Sequence, residues 1–219
     1  MGEVTLISTP APVETVTALI TEALKSGGRF GVAGGSVIKA LGAIRVALGP
    51  SWAKVKLTWV DERLVKQADP QSNRGEAYRA GALERNGNLV ELPLVQDGES
   101  GAAAVRRVKA ELKRDFDGGL DVVLLGMGED GHVASLFPGH RLLDERAHDL
   151  AWLDDSPKPP SERVTMTLKV LAQPSLARFV LATGAGKRDA LKRLLHGDWQ
   201  LPVARLGPLT VVTDQTLDS

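Results

Sequence analysis

Asp121-Val122-Val123-Leu124-Leu125-Gly126-Met127-Gly128-Glu129-Asp130-Gly131-His132 is the stretch that decides the fold. Its first half is an apolar run too short for a useful helix, and it reads as a strand buried on both faces of a parallel sheet. Its second half is a loop with three glycines in six positions and an acid and an imidazole two residues apart. A parallel strand ending in such a loop delivers polar side chains to the carboxyl edge of its sheet, where open α/β folds bind ligands. His132 is the side chain there whose unperturbed pKa lets it exchange protons near neutral pH. Asp130 is spaced to orient it or to stabilise its charged form.

On either side, short β-branched or apolar runs alternate with helix-patterned stretches. This predicts one α/β domain over residues 1–219, a Rossmann-like open, mainly parallel sheet flanked by helices, with its active site at the C-terminal edge of the strands. Strands are expected at Arg29 to Ala33, Val55 to Val60, Leu89 to Leu92, Asp121 to Leu125, Val164 to Thr167, Arg178 to Ala182 and Leu209 to Thr213. Helices are expected at Val13 to Ser26, Val37 to Leu48, Asn73 to Arg85, Gly101 to Arg114, Leu168 to Ala172 and Arg188 to Leu195. Residues Leu142 to Asp149 read as irregular, and Pro157-Lys158-Pro159-Pro160 as a loop by backbone constraint.

Four of these strands hand over to Gly-rich or charged segments: Gly34-Gly35-Ser36, Asp61-Glu62-Arg63, Gly126 to His132, and Gly184-Ala185-Gly186-Lys187. Right-handed crossovers in a parallel sheet bring all four to one edge. Gly34, Gly35 and Ser36 open a helix, so their amides suit an anion such as phosphate, or Ser36 is simply the helix N-cap. Arg63 offers a bidentate fork for phosphate or carboxylate, and Lys187 a point charge. Ser72-Asn73 suits a helix cap as well as a ligand contact. Arg163, just after the proline-rich loop, is a candidate for the same cleft, though nothing in its own surroundings marks it out. His140, His148 and His196 show no HExxH-like spacing, so no metal is expected.

Lys plus Arg and Asp plus Glu number 27 each, so the formal net charge is zero and no general nucleic-acid or membrane binding is expected. No cysteine is present, which removes disulfides, thiolate metal sites and a cysteine nucleophile. The N-terminal residues lack a signal-peptide pattern and no apolar run approaches the length of a membrane span, so a cytoplasmic location is expected.

Taken in order, Gly34-Gly35-Ser36, Trp59-Val60-Asp61-Glu62-Arg63, Ser72-Asn73, Gly126 to His132 with Ala134-Ser135-Leu136-Phe137-Pro138-Gly139, Arg163-Val164-Thr165, and Gly184 with Lys187 span nearly the whole chain. The set resembles the 6-phosphogluconolactonases, within the broader group that includes glucosamine-6-phosphate deaminase. The Gly-x-Gly-x-Asp-Gly-His core is common to both activities. The Ser-Leu-Phe-Pro-Gly that follows is similar to the lactonase version, where deaminases carry Phe-Asn-Glu-Pro-Gly. Lactonases often continue Gly-Gly-Ser with Thr-Pro, where this chain has Val37-Ile38.

The resemblance implies hydrolysis of 6-phospho-D-glucono-1,5-lactone to 6-phospho-D-gluconate, in the oxidative pentose phosphate pathway, by a monomer or homodimer with no cofactor, since an activated ester needs only a base, orientation and charge stabilisation; His132 would be the base and Asp130 its partner. It further implies Arg63, Lys187, the Gly34 to Ser36 amides and Arg163 around the phosphate, and Asp61, Ser72 and Asn73 toward sugar hydroxyls or loop organisation. A deaminase or isomerase on the same scaffold, a non-catalytic sugar-phosphate-binding protein and a nucleotide-binding Rossmann protein are the competing readings. The last lacks a dinucleotide fingerprint after its first strand.

Overall fold

In the computed structural model, which describes residues 2–84 and 89–217, strand and helix alternate along most of the chain. The order is β1 (Val4–Ser8), α1 (Pro12–Leu24), β2 (Gly28–Val32), α2 (Ile38–Leu48), β3 (Val55–Trp59), β4 (Asp61–Arg63), α3 (Asn73–Arg79) and β5 (Val90–Leu92). Then follow α4 (Gly101–Asp115), β6 (Val122–Gly126), β7 (Leu150–Leu153), β8 (Arg163–Met166), α5 (Leu168–Leu171), β9 (Ala177–Ala182), α6 (Arg188–Leu195) and β10 (Leu209–Thr213).

Helical periodicity sets the buried faces. Val16, Ile20 and Leu24 recur at four-residue spacing on α1, with Pro12 in the first turn, where its missing N–H costs nothing. Ala104, Val108 and Leu112 do the same on α4, which Ser100 caps by accepting from the Ala103 N–H. Strand β6 is buried from Val122 through Leu125, as a central parallel strand requires.

Seven strands form one sheet in the order β1-β10-β9-β6-β2-β3-β5, and every pairing in it is parallel. From β2 the chain builds outward through β3 to β5. From β6 it builds the other way through β9 to β10. The order therefore reverses between β2 and β6, and the crevice at their carboxyl ends is where such sheets bind ligands. No helix among the described residues is long and apolar enough to cross a membrane.

The structure differs from the sequence pattern at several points. Strand β1, which no local pattern announces, completes the sheet by pairing with β10 through the whole run Val4 to Ser8. Asp61-Glu62-Arg63 is a strand rather than a loop. The chain leaves the central sheet at Val60, whose N–H donates to the Val32 carbonyl while its own carbonyl accepts from Met166. Strand β4 then pairs antiparallel with β8, and β8 with β7, in a separate three-stranded sheet. Arg63 and Arg163 are direct partners in that ladder. The helix expected from Asn73 closes at Arg79 rather than continuing to Arg85, and its expected end at Asn86-Gly87 lies outside the described residues. Of Leu142 to Asp149, expected to be irregular, the first three residues belong to a 3₁₀ turn, Arg141–Asp144, and the rest carries no helix or strand.

Candidate active site

The loop after β6 folds tightly on itself. The Gly128 N–H donates to the His132 carbonyl and the Gly131 N–H to the Gly128 carbonyl, bringing Asp130 back onto His132. His132 Nδ1 lies 2.5 Å from Asp130 Oδ1, and the His132 backbone N–H donates to the same oxygen at 3.2 Å. Gly128 is required by space: a Cβ there would stand 1.9 Å from His132 Nδ1 and 2.4 Å from Asp130 Oδ1. No helix begins at Val133, so His132 is not a cap. Val133 instead bridges to Leu136, and Ala134 is held at a positive φ of 50°. That conformation is uncommon for a residue with a Cβ, and here it falls in the wall of the cleft.

Burial pushes the His132 pKa below the ordinary histidine value, and the Lys158 charge adds to this. The hydrogen bond and charge of Asp130, with the charge of Asp61, oppose the shift without reversing it. For Asp130, burial acts upward, but the His132 hydrogen bond, the charge of His132 and that of Lys158 hold it below the usual carboxylate range. The pair is thus an ionised acid beside a neutral imidazole. Asp130 fixes Nδ1 as the protonated nitrogen, which leaves Nε2 with its lone pair free to accept a proton.

The imidazole lines an open cleft of about 370 Å³ together with Gly34, Gly35, Asp61, Arg63, Asn73, Glu129, Lys158, Arg163 and Lys187. The residues come from the carboxyl ends of β2, β3, β6 and β9 and from the small sheet. Arg63 donates to the Gln71 carbonyl at 2.5 Å, while its buried Nε has no partner. Asn73 donates to the Asp61 carbonyl through Nδ2, and its Oδ1 is unpartnered against Gly34, where a Cβ would come within 1.9 Å of it. Glycine at 34 is the condition for that contact. Asp61 accepts from Ser135 Oγ at 2.7 Å, beside Arg163.

Two expected site residues, Ser36 and Ser72, fall elsewhere, while Asp130 meets His132 as expected without itself lining the cleft. Ser36 is exposed in the 3₁₀ turn Gly35–Val37, outside the cleft lining, and the N-cap position of α2 is Val37. Ser72 is buried as the cap of α3: its Oγ accepts from the Gly75 N–H and donates to Glu62. Gly184 contributes no free amide, because its N–H donates to the Asp214 carboxylate. Arg163 lines the cleft, but its Nε and Nη2 donate to the carbonyls of Lys158, Pro159 and Pro160.

Two residues that carry the architecture were not singled out from sequence. Glu62 is buried and accepts from the backbone N–H groups of Arg63, Asn73 and Arg74 and from Ser72 Oγ. Burial raises its pKa against those donors, and it ties Arg63 to Asn73 across a ten-residue gap. Lys158, in the proline-rich loop, reaches the dyad itself. Nothing local distinguishes either residue: Glu62 reads as a turn acid and Lys158 as a surface cation. Among the described residues no group of three or more His, Cys, Asp or Glu side chains is placed to hold a metal ion.

Fold and site together define a doubly wound α/β protein with a histidine–aspartate dyad in a cation-lined cleft at the topological switch point. A family profile described as glucosamine-6-phosphate isomerases/6-phosphogluconolactonase matches residues 9–215. The 6-phosphogluconolactonase of Rattus norvegicus is 38% identical over 196 residues, covering 84% of this chain and 76% of the rat protein. The chain belongs to the glucosamine-6-phosphate isomerase/6-phosphogluconolactonase family. Among solved structures, 6-phosphogluconolactonase from Thermotoga maritima superposes with a TM-score of 0.77 at 23% identity, covering 96% of this chain and 98% of that one. A monomeric glucosamine-6-phosphate deaminase superposes with a TM-score of 0.74 at 19% identity, covering 97% of both chains. The fold is therefore common to both activities.

Proposed function

We propose that this protein hydrolyses 6-phospho-D-glucono-1,5-lactone to 6-phospho-D-gluconate, as one α/β unit acting in the cytoplasm in the oxidative branch of the pentose phosphate pathway. The observation that carries the reading is the dyad, an ionised Asp130 on Nδ1 of a neutral His132, set among Arg63, Lys187 and Arg163. Neutral His132 accepts a proton at Nε2 from the water that attacks C1. The tetrahedral adduct then collapses, the bond from C1 to the ring oxygen breaks, and that oxygen takes the proton back from Nε2. One water is consumed and one hydroxy acid formed. Asp130 keeps the imidazole in the working tautomer and steadies the transient imidazolium.

The tail of the loop favours hydrolysis over deamination. Ser135 Oγ is committed to Asp61, and the Phe137 ring lies 4.9 Å from the His132 ring and 5.7 Å from Arg163 Cζ. This stretch buries apolar groups against the imidazole and brings no carboxylate that could assist ring opening. Arg63 and Lys187 are the cations we assign to the phosphate, while Arg163 chiefly secures the neighbouring loop.

The test is a lactone hydrolysis assay corrected for spontaneous opening, run beside an ammonia assay with glucosamine 6-phosphate. Lactone turnover above background without ammonia release is the expected result; ammonia release, or no turnover above background, overturns the reading. Arg63→Ala should raise KM about tenfold or more with a smaller change in kcat, as loss of a contact made in both ground and transition states does. An unchanged KM would remove Arg63 from the phosphate site. The rate should fall as pH drops through the His132 pKa. Because that pKa lies below the ordinary value, activity should persist to lower pH than an unperturbed histidine, at about 6.5, would allow. A kcat/KM profile with its acid limb at or above the ordinary value would contradict the depressed imidazole.

A further inference from the structure

Lys158 is the one cation in hydrogen-bonding or ion-pairing range of the dyad among the described residues. Its Nζ lies 3.3 Å from His132 Nδ1 and 3.5 Å from Asp130 Oδ2. With the Nδ1 proton committed to Asp130 Oδ1, the ammonium acts on the dyad as a charge paired to the second carboxylate oxygen. Its backbone is fastened at both ends. The Lys158 carbonyl accepts from Arg163 Nη2 at 2.9 Å and from Ser156 Oγ at 2.8 Å, and its N–H donates to Ser156 Oγ at 3.3 Å. The carbonyls of Pro159 and Pro160 are held by the same buried guanidinium. That is a large investment of donors for a surface loop, and its outcome is to hold one ammonium over the acid of the dyad.

We propose that Lys158 is a positioning residue of this active site, its backbone held by Arg163 so that its ammonium stays paired with Asp130 Oδ2 and offsets the charge that the acid presents to His132. The proposal rests on the lactonase reading only for its kinetic consequence; the charge relation belongs to the fold. Without the ammonium, the full charge of Asp130 would act on His132 and favour the imidazolium, which cannot accept a proton from water. With it, the acid still orients Nδ1 but raises the basicity of the ring less. The other charged groups around His132 stay in place in the comparison: Asp61 from β4, and Arg63, Arg163, Lys187 and Glu129 in the cleft walls.

The experiment compares wild type with Lys158→Met and Lys158→Arg. Two quantities are read: the NMR titration of the His132 imidazole in free enzyme, and the pH profile of kcat/KM for the lactone. In Lys158→Met the titration and the acid limb should both move to higher pH. On the acid limb kcat/KM should fall by up to about fivefold, the effect of one unit charge about 4 Å away in water-like surroundings. At alkaline pH the loss should vanish, and Lys158→Arg should restore the wild-type profile.

An imidazole titration unmoved in Lys158→Met overturns the proposal, whatever the activity. So does a loss that is equal at every pH, which would mark a merely structural loop contact. If the chain turns over no lactone, the titration still decides the role of Lys158, and only the functional reading falls.

Discussion

Replacing His132 with alanine should lower kcat by about 10²–10⁴-fold with the fold intact, the range general acid–base catalysis contributes. In the proposed mechanism the imidazole carries the whole proton path: acceptance from water and return to the ring oxygen both pass through Nε2. The two carboxylates of the cleft lining are otherwise engaged: Asp61 is tied to Ser135 and flanked by Arg163, and the Glu129 carboxylate sits against Gly186, where a Cβ would come 2.2 Å from it. The stability cost should be small beside the kinetic one, since the ring is partly exposed and its contact with Phe137 is a tilted one at 4.9 Å. Turnover must be measured against the spontaneous opening of the lactone. A variant within a few-fold of wild type would exclude His132 as the base and direct attention to the cations.

Gly128→Ala should be nearly as damaging, by about 10²-fold in kcat, although residue 128 performs no chemistry. The added methyl would sit 1.9 Å from Nδ1 and 2.4 Å from the Asp130 oxygen, inside both atoms of the dyad at once. The imidazole cannot stay where it is, and a displacement of about 1 Å at a reacting group is worth about that factor. The φ of Gly128 is not in the left-handed region, so backbone strain adds nothing and the effect is one of space alone. The checks are kcat, the position of the His132 titration, and thermal unfolding. Substrate affinity should change less than kcat, because Arg63 and Lys187 stand on other elements. A fully active Gly128→Ala would mean that the dyad tolerates a geometry other than the one described.

Much of this architecture was legible in the chain. The apolar run Val122 to Leu125 ending in glycines could only be a buried parallel strand feeding a loop, because period, length and turn chemistry agreed. The same logic placed four catalytic or binding segments on one sheet edge, and Gly34, Asp61, Arg63, Asn73, His132, Arg163 and Lys187 do line one cleft.

The departures have a common cause. Val4 to Ser8 is a strand because β10 is there to pair with it, and Asp61 to Arg63 because β8 is. Neither run contains enough local preference to declare itself. Ser36 and Ser72 both suit a ligand contact or a cap, and only the neighbourhood decides: Ser72 meets Glu62 and the Gly75 N–H, whereas Ser36 is neither the N-cap of α2 nor in the cleft lining.

What the sequence determined by itself was therefore the class of fold and the pairing of Asp130 with His132, since both are written in contiguous residues whose spacing fixes their geometry. What the tertiary structure decided was which charges act on that pair. Arg163 turns to fasten a loop, Lys158 crosses to Asp130, and Glu62 ties Arg63 to Asn73. Electrostatic interactions depend on distance through space, and the distance from residue 158 to residue 130 exists only once the two sheets have come together.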